Sequence, residues 1–180
     1  MKTHSLLLSL TLLLPHAAFA GGVKTQTAKN ADFSRYKTYQ WFPPRVLTNV
    51  GEVENHPANP ILKDVIGRQL AQKGLSELAE AADLQIQVTA LTDTTPQLEA
   101  VVYAYFPGDW SPTQIASLGR YNRTGTLCLN LIDHRTNKSV WFAMATQGLP
   151  IGTLSLEQIR AKVETAVKNI FKKYPVKEKR

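Results

Sequence analysis

Cysteine occurs once in the 180 residues, at Cys128, so no intramolecular disulfide can form and the fold has to be held by its core. Histidine is almost as scarce. His4 and His16 fall in the first twenty residues, and the remaining pair, His56 and His134, stands at no metal-ligand spacing from each other, from the cysteine or from a carboxylate. No metal and no cofactor is expected on that inventory. The chain has no glycine-rich phosphate loop, no dinucleotide fingerprint and no Gly-x-Ser-x-Gly elbow, which removes the motif-bearing enzyme classes. Long apolar runs are missing too: the best, Ser5 to Leu14, covers ten residues and stops at Pro15, where a membrane span needs ~20. Acidic residues are in the minority, 14 against 21 Lys and Arg, for a formal charge of +7.

The short apolar run instead reads as a secretory signal. Lys2 supplies the positive start, Ser5 to Leu14 the apolar centre, and Ala18-Phe19-Ala20 the small residues that a signal peptidase reads, so cleavage is expected after Ala20. A lipid anchor would need a cysteine directly after that centre, and Cys128 is far away. The expectation is a periplasmic or secreted protein without a transmembrane span, carrying +6 once the segment with Lys2 is removed. Lys168, Lys172, Lys173, Lys177, Lys179 and Arg180 crowd the end, where cations complement a helix C-terminus. Residues 176–180 are read as a solvated basic tail, docking on anionic lipid being the sharper alternative. Export argues against nucleic acid as a partner.

Gly21 to Ala31 is small, polar and aperiodic, and reads as a flexible lead-in to a single domain over residues 32–175. Lys37 to Phe42 alternates as a strand stopped by Pro43-Pro44, and Arg45 to Ala58 has no sustained period and is expected to be a loop. Asn59-Pro60 predicts the N-cap and first residue of a helix with Ile61, Leu62, Val65, Ile66 and Leu70 on one side and Gly74 as its left-handed stop. Leu84, Ile86, Val88 and Ala90 then alternate with polar residues as a half-buried strand.

Gly125 to Thr146 is the strongest pattern. Leu127, Leu129 and Leu131 share one face of a first run, and Val140, Phe142 and Met144 alternate with Trp141, Ala143 and Ala145 in a second, around the polar turn Asp133 to Lys138. Apolar side chains on both faces put this hairpin inside a sheet, with Cys128 as a buried small hydrophobe. Ser155 and Gln158 form a capping box opening a last helix, with Leu156, Ile159, Val163, Ala166, Val167 and Ile170 as its buried stripe and Pro175 ending it. The predicted class is α+β: a small mixed sheet with two helices packed on one face, in the order strand, helix, strand, variable segment, strand, strand, helix.

Several of these residues, in order, resemble a known family. Asp32-Phe33-Ser34-Arg35-Tyr36-Lys37-Thr38-Tyr39-Gln40-Trp41, Gly74, Ala82-Asp83, Gly125-Thr126-Leu127 with Leu131-Ile132-Asp133, Val140-Trp141 and Tyr174-Pro175 are similar to the landmarks of the bacterial envelope family called domain of unknown function 4136. The resemblance implies a periplasmic or outer-membrane-associated α+β domain, often a lipoprotein, with no assigned activity and no catalytic residues to carry over. This chain departs from it in lacking the lipobox cysteine.

Function is therefore sought in the irregular stretch Thr94 to Arg123, where Tyr103, Tyr105, Phe106, Trp110 and Tyr121 lie among prolines and glycines. The favoured reading is a non-catalytic binding or assembly module that uses those aromatics, and in part the basic tail, to hold an envelope protein, glycan or lipid. The alternative is a small-ligand carrier or weak hydrolase with a pocket under residues 103–121; the plainest is that the aromatics are core. His56 and His134 are expected to be ordinary surface residues. Asp93, Asp109 and Asp133 fall in separate loops and could pair only through the fold.

Overall fold

The computed structural model describes residues 22–48, 51–92, 124–150 and 153–175. Its elements are β1 (Val23–Thr27), β2 (Thr38–Trp41), β3 (Arg45–Thr48), β4 (Gly51–Glu52), α1 (Ala58–Gln72), β5 (Ser76–Glu77), β6 (Leu84–Thr92), β7 (Thr124–Asp133), β8 (Lys138–Gly148) and α2 (Leu156–Phe171).

β7 and β8 form the expected antiparallel hairpin and occupy the middle of an eight-stranded mixed sheet, ordered β1-β8-β7-β6-β2-β5, with β3 also on β6 and β4 on β3. The turn closes because the Asp133 carboxylate accepts from the Thr136 N–H at 2.8 Å, while Asn137 takes the left-handed conformation at φ +52°. Leu127, Leu129 and Leu131 stand opposite Ala145, Ala143 and Trp141 on the face that packs on the helices. Cys128 and Asn130 stand opposite Met144 and Phe142 on the other face, which is buried as well. A bulge near Leu131 and Ile132 lets Val140 and Trp141 both enter the helix-side core.

β2 pairs with β6 in parallel, and the chain between them crosses through α1, as a strand-helix-strand order requires. Two expectations fail, one on this side of the sheet and one at its opposite edge. Residues read as a loop after Pro43-Pro44 form β3 and β4, β3 running parallel to β6. Trp41 faces Ile86 and Arg45 faces Thr89, so four residue steps match three on β6; the prolines occupy a bulge, where their missing N–H groups break no ladder. The supposed flexible lead-in contains β1, which pairs with β8 from Val23–Ala145 to Thr27–Trp141. Its backbone hydrogen bonds leave no trace in composition.

α1 starts earlier than its Asn-Pro signal. Pro57 is the N-cap, and the His56 ring accepts the Ala58 N–H at 3.1 Å through Nδ1, so Asn59 is already helical. At the other end Gly74, at φ +81°, donates to the Ala71 carbonyl and Leu75 to the Leu70 carbonyl, the paired bonds of a Schellman stop. α2 opens with the predicted capping box of Ser155 and Gln158. Asp64 and Arg68 of α1 meet Arg160 and Glu164 of α2 in the same order, with Asp64–Arg160 at 2.7 Å and Arg68–Glu164 at 3.4 Å, so the helices run parallel. These pairs are about half exposed, so solvent screening leaves them little weight in stability. Burial of Leu62, Ile66, Leu70, Ile170 and Phe171 against the sheet stabilises the helix layer more than these pairs do.

The Asp-Phe-x-x-Tyr-Lys-Thr stretch is a structural clasp. Phe33 and Tyr36 are buried, with Phe33 edge-on to Tyr174, which meets Trp141 at 5.2 Å. The Asp83 carboxylate accepts from the backbone N–H of Lys37 at 2.8 Å and of Thr38 at 3.0 Å, fixing the start of β2 beside β6. Those bonds hold the Asp83 carboxyl below its ordinary range.

Candidate functional site

The candidate aromatics Tyr103, Tyr105, Phe106, Trp110 and Tyr121 all lie outside the described residues, as do Asp93 and Asp109. The remaining expectations fall on described positions. Cys128 is buried, and burial pushes its thiol up to about 12, so it stays protonated and unreactive. Asp133 is 4 % exposed and committed to Tyr36, Thr136 and Arg35, so it is a structural anchor. His134 is exposed on the hairpin turn, its Nδ1 2.8 Å from Gln85 Nε2. No group of three or more metal-ligating side chains occurs among the described residues, and no helix among them is long and apolar enough to cross a membrane.

What the structure brings together is a cleft that the sequence did not announce. Because the helices are parallel, both N-terminal ends lie at the same end of the sheet, and between them a space of about 610 Å³ stays open. Its floor is the helix-facing side of the sheet, with Val46 of β3, Ala90 of β6, Leu127 of β7 and Ala145 of β8. One wall is the start of α1, with His56, Pro57, Ala58 and Leu62; the other is α2, with Leu156, Ile159, Lys162, Val163 and Ala166. Leu149, Thr153 and Leu154 close one side.

The predicted α2 stripe explains this geometry, with a correction. Ala166, Val167 and Ile170 are buried as expected, but Val163 and Ile159 are half-buried and Leu156 is 57 % exposed. The first half of the stripe lines the cleft, with Ile159 and Val163 still packed in part against the core. That continuity was the available signal: six apolar positions at helical spacing exceed what the two-helix layer can bury.

Polar groups at the cleft are few and mostly committed. His56, expected on the open surface, is half-buried at the wall and caps α1; burial lowers its ring below the ordinary value of 6.5, so it is neutral at physiological pH. Lys162 Nζ donates to the Gly148 carbonyl at 3.0 Å, and the Lys162 carbonyl accepts from Gln147 Nε2 at 3.1 Å, tying α2 to the end of β8. The Thr126 and Thr146 hydroxyls, 3.0 Å apart, fall with Cys128 and Met144 on the other face of the sheet, so they are not offered to the cleft. No described cleft-lining residue is acidic, and none pairs a nucleophile with a base. Elsewhere, Lys168 and Lys172 line a second groove with Arg68 and Lys73 near the C-terminal ends of the helices, while Lys177, Lys179 and Arg180 lie outside the described residues.

Three solved structures are similar to parts of this chain. A PDZ domain protein from Parabacteroides distasonis is 16% identical with a TM-score of 0.53, and the match covers 86% of this chain and 36% of that one, so this chain spans about a third of its length. A PelC dodecamer from Paraburkholderia phytofirmans is 10% identical over 83% of this chain and 94% of that one, with a TM-score of 0.47. A lipoprotein from Neisseria meningitidis is 10% identical over 77% and 99%, with a TM-score of 0.40. At 16% identity the likeness to the first of these is one of fold alone. No curated protein matches the sequence. The family described as Domain of unknown function (DUF4136) matches residues 23–176, from the first strand to just past the Tyr174-Pro175 stop, and the chain belongs to that family.

Proposed function

We propose that this protein is a non-catalytic binding module of the bacterial cell envelope, exported by its N-terminal signal, and that the cleft between its helix N-termini and the sheet holds the apolar chain of a ligand. The observation that carries this is the incompletely buried first half of the α2 stripe, exposed at Leu156 and half-buried at Ile159 and Val163. A lone exposed leucine means little, but Leu156 continues through Ile159 and Val163 to Leu62, Val46 and Leu127 as one concave apolar surface. The volume is that of a small-ligand site, and burying a chain along such a wall gains ~25 cal/mol for each Å² removed from water. A binding role suits the polar groups, which are spent on caps and strand ends rather than arranged around a reacting atom.

The aromatic segment belongs to the same proposal. The strands on either side of it end at Thr92 and begin at Thr124, and Thr92 and Gly125 both line the cleft. Tyr103, Tyr105, Phe106, Trp110 and Tyr121 lie outside the described residues, and we propose them as further ligand or partner contacts.

The test is titration of the mature protein with the neutral fluorophore N-phenyl-1-naphthylamine. Saturable enhancement that disappears in Leu156→Glu, a cleft-lining position 57 % exposed, with an unchanged melting temperature, is the expected result. Absence of saturable binding to the wild type refutes the proposal.

A further inference from the structure

We infer that the ligand is an anionic amphiphile with a single alkyl or acyl chain, its apolar part along Leu156, Ile159 and Val163 and its carboxylate or phosphate on the Lys162 ammonium. This rests on the cleft being a ligand site and names the ligand's chemical class.

Lys162 is three residues beyond Ile159 and next to Val163, so its stem runs along the apolar wall while its head reaches the rim. It is held at both ends: its carbonyl accepts from Gln147 Nε2 and its Nζ donates to the Gly148 carbonyl at 3.0 Å. An ammonium has three donors, and one is spent on Gly148, leaving two for an oxygen anion. Among the described residues no carboxylate lies within ion-pair distance of Lys162, although its neighbours Arg160 and Glu164 on the same helix are both paired. The other polar lining residues, Thr48, His56, Thr92, Thr126, Gln147 and Thr153, carry no charge at neutral pH, and none of the described lining residues is acidic. The site thus offers a long apolar wall ending in one positioned cation. A neutral apolar ligand would leave that cation without a counter-charge; a cationic amphiphile would be repelled.

The experiment is displacement of N-phenyl-1-naphthylamine from the mature protein by dodecanoate, dodecyl phosphate and 1-dodecanol, which share one chain and differ in head group. The anions are expected to displace the probe about tenfold or more better than the alcohol, the range of a charge-assisted hydrogen bond. Lys162→Met, which keeps the stem's bulk, should remove that preference and leave the alcohol's affinity unchanged. Lys162→Arg should retain it, which guards against a loss caused by the broken tie to Gly148. Comparing the two anions assigns the head group: superiority of dodecanoate points to a free fatty acid, of dodecyl phosphate to a lysophospholipid-like ligand. Equal displacement by dodecanol and the anions, or a preference that survives in Lys162→Met, overturns the inference while leaving the cleft as an apolar site. Failure of all three to displace a bound probe overturns the inference alone, whereas absence of saturable probe binding overturns the reading it rests on.

Discussion

The Tyr36 hydroxyl donates to the Asp133 carboxylate at 2.9 Å across 97 residues of sequence, joining the approach to β2 to the tip of the central hairpin. Burial first, and the Asp133 bond second, raise the phenol to about 12, because ionising it would place a second negative charge beside a carboxylate. The folded state therefore favours the neutral phenol. Its contribution is complete below pH 10 and is lost as pH climbs from 10 towards 12, where the unfolded chain ionises first. Tyr36→Phe should flatten that alkaline limb in urea melts and cost about 1–2 kcal/mol at neutral pH. Asp133→Ala, which strands Tyr36, Thr136 and Arg35 together, should cost about 2–4 kcal/mol. Identical alkaline limbs for wild type and Tyr36→Phe would contradict the assignment.

His56 gives a second, acidic signature. Its folded-state value lies below 6.5 because the ring is half-buried, so the unfolded chain takes up a proton first as pH falls. Stability is present above 6.5 and declines as pH drops towards the folded-state value. A protonated ring cannot accept the Ala58 N–H, so the first turn of α1, which is one wall of the cleft, loosens in the same window. His56→Gln should remove this component from a pH series of melting temperatures; an unaltered profile would exclude His56 as its source.

Gly125 lines the cleft beside Leu149. A Cβ there would come within 3.1–3.2 Å of the Leu149 side chain, which lines the cleft. Leu149 can swing away, so Gly125→Ala should change stability by less than ~1 kcal/mol. Its effect should instead be weaker probe binding, read in the fluorescence titration.

The two helices should respond unequally to truncation. Leu70 is fully buried under α1, and Leu70→Ala should cost about 2–5 kcal/mol through lost burial and a cavity. Val163 faces the open cleft, so Val163→Ala should cost under ~1 kcal/mol and lower ligand affinity more than stability. Equal shifts in denaturant midpoint would show that Val163 is core.

Period and punctuation determined most of the architecture. The alternation through Leu127–Leu131 and Trp141–Ala145, the capping box at Ser155, the glycine stop at Gly74 and the α1 stripe are local features whose energetics are set within a few residues, and each appears where the sequence places it. The signature around Tyr36 also identified the family, now matched over residues 23–176. Only the tertiary structure decided what depends on distant partners. Val23–Thr27 is a strand because β8 offers it an edge, and Arg45–Thr48 because β6 does; neither has the apolar alternation that marks a half-buried strand. His56 became a cap because Pro57, not Asn59, opens the helix. The cleft exists because two parallel helices end at the same side of the sheet, so one continuous apolar stripe is core at Val167 and Ile170 and open wall at Leu156 and Ile159. Periodicity tells which face of a helix is apolar; what lies against each turn of that face is fixed by where the other elements stop.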